Sequence, residues 1–321
     1  MRAAINTKYG PPEVVTVQEI DKPVPKDNEV LIKVYATTVN RTDCGFRSAE
    51  YFISRFFSGL FNPKNKTLGN EFAGVIEAVG KEVTSFHIGE KVFGYNDVKF
   101  GAHAEYMTTG ENDPIATMPA HFSYEEAAPL CEGGHYALRD IRAANVRAGQ
   151  NVLIYGATGA IGSAAVQLVK HIGARVTAVC STKHVELIKS LGADEVIDYT
   201  QQDFTKTSQL FDFIFDAVGK SSFSVCKKLL RPKGIYISTE LGKNGANVFL
   251  ALLAPLLGDR KVLFPLPTIS QKDALFLKEL AETGKYKPII DRKYSLEQIV
   301  EAYQYVETRQ KIGNVIISIT D

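Results

Sequence analysis

The 321-residue sequence predicts an α/β fold in two units, an all-β unit into which a doubly wound parallel-sheet unit is inserted. Length alone makes two domains the natural expectation. The second observation is a change of pattern: short strands dominate as far as Phe122, helix and strand alternate from Ser123, and β character returns only in the tail. The third is the stretch from Asn151 to Ser181. There an apolar strand, a glycine turn, an amphipathic helix and a second apolar strand follow within about thirty residues, the repeating piece of a parallel sheet. The implied division is residues 1–122 with 265–321 for the β unit and 123–264 for the inserted one.

In chain order, Arg2 to Lys8, Val14 to Ile20 and Glu29 to Val39 read as strands parted by the turn residues Gly10-Pro11-Pro12, Pro23 and Pro25. Ala73 to Val79, Lys91 to Tyr95, Ala102 to Thr108 and Ile115 to Met118 continue the β pattern. Between them, 46–66 reads as an irregular segment. Its aromatics Phe46, Tyr51, Phe52, Phe56, Phe57 and Phe61 favour a partly buried lid or wall. Tyr124 to Arg142 is helical with breaks, His184 to Leu191 is a helix stopped by Gly192, and Ser222 to Leu230 is another. Glu195 to Tyr199, Asp212 to Ala217 and Ile235 to Thr239 are short strands. In the tail, Gln271 to Thr283 and Leu296 to Arg309 are amphipathic helices, and Asn314 to Ile319 is a closing strand. Ser295 with Gln298 forms a capping box at the start of the second tail helix.

The glycine turn carries chemistry. Asn151 to Tyr155 lacks polar alternation after its first residue, as a strand buried on both faces does. Gly156, Gly159 and Gly162 follow, spaced G-x-x-G-x-x-G, and Ile161, Ala164, Ala165, Leu168 and Ile172 then recur at helical spacing up to Gly173. Gly156 turns the chain out of the strand, Gly159 admits a pyrophosphate, and Gly162 lets the helix pack on the sheet. The N–H groups at the helix start face the anion. Thr158, Ala160 and Ile161 belong to the same turn, so the segment is a candidate dinucleotide site.

Composition excludes other classes. The formal net charge of +1 offers no electrostatic footprint for nucleic acid or an anionic membrane surface. The longest apolar run, Val248 to Leu257, is too short to span a bilayer, and the first residues lack the apolar core of a signal peptide. Cys44, Cys131, Cys180 and Cys226 are far apart, as in a reducing, cytoplasmic setting. His87, His103, His121, His171 and His184 form no visible cluster.

Taken together, several segments resemble the medium-chain dehydrogenase/reductases, and among them the zinc-free quinone oxidoreductase branch. They are N-x-x-D at Asn40 to Asp43, GNEFAGVIEAVG at 69–80, GEKVFGY at 89–95, AHAEY at 102–106 and EEAAPLCEGGHYAL at 125–138. LGADEVIDY at 191–199, DAVG at 216–219 and the ending Gly313-Asn314-Val315-Ile316 complete the set. The resemblance covers essentially the whole chain and implies a GroES-like β domain around an inserted Rossmann domain. It also implies a cofactor site that includes Ala217, Val218 and Gly219, a small-molecule substrate, and a homodimer as a common state.

Zinc-dependent alcohol dehydrogenases of the superfamily hold a catalytic metal with a Cys where Asn40 stands here, a His where Asn70 stands, and a third ligand near Cys131. Neutral amides are poor ligands for zinc, so no metal is expected. Cys131 reads as a small buried apolar residue, His135 as a pocket-wall residue, and Glu71 as structural. The resemblance points to Asn40 and Tyr51 as hydrogen-bond donors near an acceptor oxygen and to Asp43 as organiser of the loop. The second strand of the nucleotide unit ends at Cys180-Ser181-Thr182-Lys183 without the acid that NAD-selective sites direct at the ribose. Ser181 and Lys183, with Tyr199 at a position the family places near the phosphate, suit the 2′-phosphate of NADPH. The expected activity is NADPH-dependent reduction of a quinone or an α,β-unsaturated carbonyl. The alternatives are an alcohol dehydrogenase-type oxidoreductase and a non-catalytic NADPH-binding protein.

Overall fold

A computed structural model describes residues 1–50, 55–256 and 258–319, with the backbone alone for Phe57 and Pro255. The chain divides into two compact units, Met1–Glu132 with Ile269–Asp321, and Gly133–Thr268. Both edges fall later than the sequence pattern suggests, and specific contacts account for the shift. Tyr124 stacks on Tyr35 at 4.5 Å between ring centroids, and the Glu71 carboxylate accepts the N–H groups of Cys131 and Glu132, which holds 123–132 to the β unit. At the other edge Arg139 Nε donates to Leu266 O at 3.3 Å, within the inserted unit.

The strands of the first unit are β1 (Arg2–Asn6), β2 (Val15–Glu19), β3 (Glu29–Val39), β4 (Glu71–Val79), β5 (Lys91–Tyr95), β6 (Tyr106–Gly110) and β7 (Ile115–Thr117). Those of the second are β8 (Asn151–Tyr155), β9 (Arg175–Cys180), β10 (Glu195–Asp198), β11 (Phe211–Asp216), β12 (Leu230–Ser238) and β13 (Lys261–Leu263). The tail returns β14 (Ile290–Ser295) and β15 (Asn314–Ser318) to the first unit. The helices are α1 (Arg41–Ser48), α2 (Arg55–Ser58), α3 (Tyr124–Ala127), α4 (Glu132–Ala143), α5 (Ala160–Ile172), α6 (Val185–Ser190), α7 (Phe223–Cys226), α8 (Ala246–Leu252), α9 (Gln271–Glu282) and α10 (Ile299–Glu307).

In the first unit the sheet runs β14-β15-β3-β4-β5-β7, with β6 also paired to β3. The tail is stitched in by antiparallel pairing of β15 with β3, Val315 opposite Val39. The core packs Ile32, Val34, Phe72, Ile76 and Val92 against α10, which supplies Ile299, Ala302, Tyr303 and Val306 at helical spacing. Truncating a fully buried ring such as Phe72 to Ala would cost about 3–5 kcal/mol.

The second unit is a six-stranded sheet ordered β10-β9-β8-β11-β12-β13, every pairing parallel. The order reverses between β8 and β11, the place where open α/β sheets bind ligands beyond their carboxyl ends.

Several elements depart from the sequence pattern. β14 carries Asp291, Arg292 and Lys293 in its middle, a charged edge strand that defends itself against further pairing and shows no apolar alternation. β13 has only three residues. α1 and α2 occupy parts of the segment read as irregular, and the strand expected from Ala102 begins at Tyr106, because Ala104 makes only an isolated bridge to Ala3. The aromatic wall separates into parts. Phe46 packs on Phe100 at 4.9 Å, while Phe56 and Phe61 are 64% and 81% exposed. Tyr51 and Phe52 lie outside the described residues.

Candidate active site

The candidate nucleotide site of the second unit is built at the carboxyl ends of β8, β9 and β11. Gly156 takes φ +81°, which turns the chain sharply out of β8, and a Cβ there would strike the Val218 side chain at 2.5 Å. At Gly162 a Cβ would lie 2.1 Å from Gly156 O, so only glycine allows α5 to approach the strand this closely. Gly159 is different: a Cβ would meet only Gly156 O, at 3.8 Å, and the space beside it is open. It caps α5 with no side-chain hydrogen bond, and the first turn, which holds Ala160 and Ile161, has no acidic residue. Backbone N–H groups and the helix dipole are thus presented to an anion without a competing carboxylate. A dinucleotide pyrophosphate fits these residues, with Thr158 half-buried alongside.

The opposite wall is the turn Ala217-Val218-Gly219. Asp216 at the end of β11 pins it by accepting the N–H groups of Val218 at 3.2 Å and Ser221 at 2.8 Å, and the Tyr236 hydroxyl at 3.2 Å. Ala217 N donates to Tyr155 O at 3.0 Å, so the two strand ends on either side of the reversal are joined. Further along, Tyr199 N donates to Cys180 O at 3.0 Å, bringing Ser181, Lys183 and Tyr199 to one corner. Lys183 and Tyr199 are exposed there and Ser181 is half-buried. The structure adds Asp198 to this corner. Its carboxylate accepts the Thr182 hydroxyl at 2.5 Å and the Thr200 hydroxyl at 2.8 Å, which keeps it below the usual carboxylate range.

In the first unit, Asn40, Asp43, Asn70, Glu71, His103 and Glu132 form a buried polar cluster. Asn40 caps α1: its Oδ1 accepts Asp43 N at 3.1 Å while Asp43 Oδ2 accepts Asn40 N at 3.1 Å, a reciprocal capping box. Asn40 Nδ2 donates to Asn70 Oδ1 at 2.6 Å and to Thr38 Oγ1 at 3.4 Å. With both amide hydrogens committed and the residue 4% exposed, Asn40 in this arrangement positions α1 and Asn70. The donor role expected of it is not what its hydrogen bonds display. Asp43 also accepts Gly69 N at 3.0 Å, tying the start of α1 to the segment before β4. Tyr51 lies outside the described residues.

Glu71 accepts four donors: the Cys131 N–H at 3.1 Å, the Glu132 N–H at 2.6 Å and the Thr38 hydroxyl at 2.7 Å on its carboxylate, and the Thr37 hydroxyl at 2.6 Å on its carbonyl. It therefore closes the amino end of α4. Glu132, the first residue of that helix, accepts the Thr42 hydroxyl at 2.7 Å and Asn70 Nδ2 at 3.4 Å. Burial pushes the carboxyls of Asp43 and Glu71 up to about 8 and that of Glu132 to about 7, with mutual repulsion adding to the first two. His103, which the sequence left unclustered, joins here, its Nε2 2.8 Å from Thr38 O and 4.0 Å from Asp43 Oδ2; burial holds its imidazole down at about 4, hence neutral.

A zinc ion does not fit this donor set. The two amides at the positions of the first two expected ligands bond to each other, and burial drives the Cys131 thiol well above its ordinary range, away from the thiolate a metal requires. Among the described residues no three His, Cys, Asp or Glu side chains gather as ligands for a metal ion.

A GroES-like β unit together with a 3-2-1-4-5-6 parallel sheet that carries a glycine turn at its reversal point defines the class: the chain is an oxidoreductase of the medium-chain dehydrogenase/reductase superfamily. Within it the chain belongs to the quinone oxidoreductase branch. Residues 26–134 match the alcohol dehydrogenase GroES-like domain, and residues 191–317 match the zinc-binding dehydrogenase domain. A 2-methylene-furan-3-one reductase of Solanum lycopersicum is 32% identical over 99% of this chain and 79% of its own. An NAD-dependent alcohol dehydrogenase of Saccharolobus solfataricus is 31% identical over 99% of both chains. The structure of a quinone oxidoreductase from Coxiella burnetii superposes with a TM-score of 0.89 at 26% identity, covering 100% of this chain and 99% of that one.

Proposed function

We propose that the protein is an NADPH-dependent reductase of quinones or α,β-unsaturated carbonyls that works without a metal. The observation that carries the reading is the Asn40–Asn70 hydrogen bond at 2.6 Å, which occupies with two amides the place where zinc-dependent relatives present ligands. An acceptor that is already electrophilic needs no Lewis acid, whereas an alcohol needs help to ionise. Bound NADPH would supply the hydride. Gly156, Thr158, Gly159, Ala160, Ile161 and Gly162 would hold its pyrophosphate, Ala217, Val218 and Gly219 would wall the cleft, and Ser181, Lys183 and Tyr199 would take the 2′-phosphate. Asn40 and Asp43 hold the start of α1, and Tyr51 keeps the donor role the resemblance gives it. A homodimer belongs to the same reading, supported by Phe249, Leu252, Leu253, Leu256 and Leu266, which stand exposed near the edge strand β13. A cytoplasmic, reducing setting is supported by Cys44, Cys131, Cys180 and Cys226, all buried and none in a disulfide.

The test is oxidation of NADPH against a panel of quinones and enones, beside oxidation of simple alcohols with NADP⁺, each with and without chelator. Turnover of quinones or enones that survives chelation is the expected result. Oxidation of simple alcohols that is lost with a stoichiometric zinc would establish the alcohol dehydrogenase reading instead. Tight NADPH binding with no turnover would establish the nucleotide-binding one.

A further inference from the structure

The three carboxyls of the buried polar cluster, Asp43, Glu71 and Glu132, are not equivalent. Asp43 receives the backbone N–H groups of Asn40 and Gly69, and Glu71 those of Cys131 and Glu132, donors that cannot rotate away. Glu71 also accepts the hydroxyl of the buried Thr38, whereas Glu132 is met by side chains alone, the Thr42 hydroxyl at 2.7 Å and a long amide contact from Asn70 at 3.4 Å. Thr42 sits in the first turn of α1 and is half-buried, while the carboxyl its hydroxyl meets belongs to a residue that is 4% exposed. Lys311, also half-buried, is the cation whose field reaches Glu132.

We propose that Glu132 is the proton reservoir of the reaction, passing its proton through the Thr42 hydroxyl to the oxygen of the reduced acceptor. This rests on the reductase reading above. When hydride adds to the β-carbon of an enone, the new C–H bond takes both electrons of the hydride, the C=C π pair shifts to join the α-carbon to the carbonyl carbon, and the C=O π pair moves to the oxygen. That oxygen gains the Thr42 Oγ–H proton as Thr42 takes the proton of the Glu132 carboxyl. The enol then tautomerises to the saturated ketone, and Glu132, left as a carboxylate in the field of the Lys311 ammonium, recovers a proton from water. Groups that face Glu132 set its readiness. Burial raises its affinity for a proton, the Thr42 and Tyr95 hydroxyls lower it, Asp97 raises it, and Lys311 lowers it. Asp43 and Glu71, also in the cluster, share its low-dielectric surroundings. The outcome is a carboxyl that titrates at about 7, where a general acid is most effective.

The experiment compares wild type with Glu132→Gln, Thr42→Val and Thr42→Ser on an enone and on a quinone, across pH. Wild-type kcat on the enone is expected to be level below about 7 and to fall above it. Glu132→Gln and Thr42→Val should each lower enone turnover by roughly a hundredfold, flatten that fall and be no worse when combined. Thr42→Ser should restore turnover. The quinone rate should change far less, because water can protonate a hydroquinone anion. An infrared difference spectrum without cofactor should show protonated-carboxyl signal lost with a midpoint near about pH 7 in wild type and Thr42→Val; Glu132→Gln should lack that component and keep only the later loss, near about pH 8, from Asp43, Glu71 and Asp140. If Glu132→Gln and Thr42→Val fold and keep enone turnover with an unchanged pH profile, Glu132 is not the reservoir, while the reductase reading stands. If wild type reduces neither acceptor, the reductase reading falls and this inference with it.

Discussion

At the scale of single residues, the corner formed by Ser181, Lys183 and Tyr199 shows what the sequence displayed and what it hid. The absence of an acid after Cys180 and the presence of Lys183 are visible in one line of letters. Asp198 is not, because only the parallel register of β10 on β9, with Asp198 opposite Cys180, brings it to the same corner. Its charge would oppose a 2′-phosphate, and the Thr182 and Thr200 hydroxyls engage it. On the proposed NADPH reading, Lys183 is the cation that would offset it. Lys183→Glu is expected to weaken NADPH binding by about tenfold or more, one charge-assisted contact being worth roughly 1.5–3 kcal/mol, and to leave NADH nearly unchanged. Fluorescence titration of both cofactors checks this; equal losses for the two would remove Lys183 from the phosphate site.

At the scale of elements, α1 is the piece whose signal was present but put to another use. Asn40-x-x-Asp43 is a family marker, and it is also a capping box that starts a helix in a segment otherwise rich in glycine and aromatics. β14 and β13 were hidden for a different reason, since a charged edge strand and a three-residue strand carry no apolar periodicity. The glycine turn, by contrast, depends on local backbone chemistry and was readable to the residue. Because Asn40 is both cap and strut, Asn40→Ala removes a cap worth about 0.5–2 kcal/mol and leaves Asn70 Oδ1 without its 2.6 Å donor in a fully buried site. A lowered denaturation midpoint is expected, with Asn40→Ser, which keeps a capping oxygen, intermediate. Full stability in Asn40→Ala with reduced turnover would instead mark Asn40 as a donor to the acceptor.

At the scale of the whole molecule, the two-unit plan was evident in the change of pattern, while the burial of ionisable groups was not, since burial is decided by packing between strands far apart in sequence. Among the carboxyls raised chiefly by burial, Asp43, Glu71 and Asp140 reach about 8 and Glu132 about 7, and Asp97 and Asp216 shift in the same direction. In the unfolded chain they titrate near 4. Between about pH 4 and 8 the folded state therefore binds more protons than the unfolded state, and stability falls as pH rises through that window. His103 works in the opposite direction: held at about 4 against roughly 6.5 unfolded, it contributes stability that is lost as pH falls below 6.5. Lys311, lowered by burial, acts in the same direction as His103, but the raised carboxyls outnumber the two, so the thermal midpoint should be higher at pH 6 than at pH 9. The loss should be at least about 1.4 kcal/mol, the equivalent of one unit on one group. Among the described residues no hydrogen bond or ion pair reaches the Asp140 side chain, and only the field of Arg139 opposes its burial. Asp140→Asn should thus recover part of the loss at pH 9 and change little at pH 4. A midpoint that stays level or rises from pH 6 to 9 would show that these carboxyls ionise freely in the folded protein.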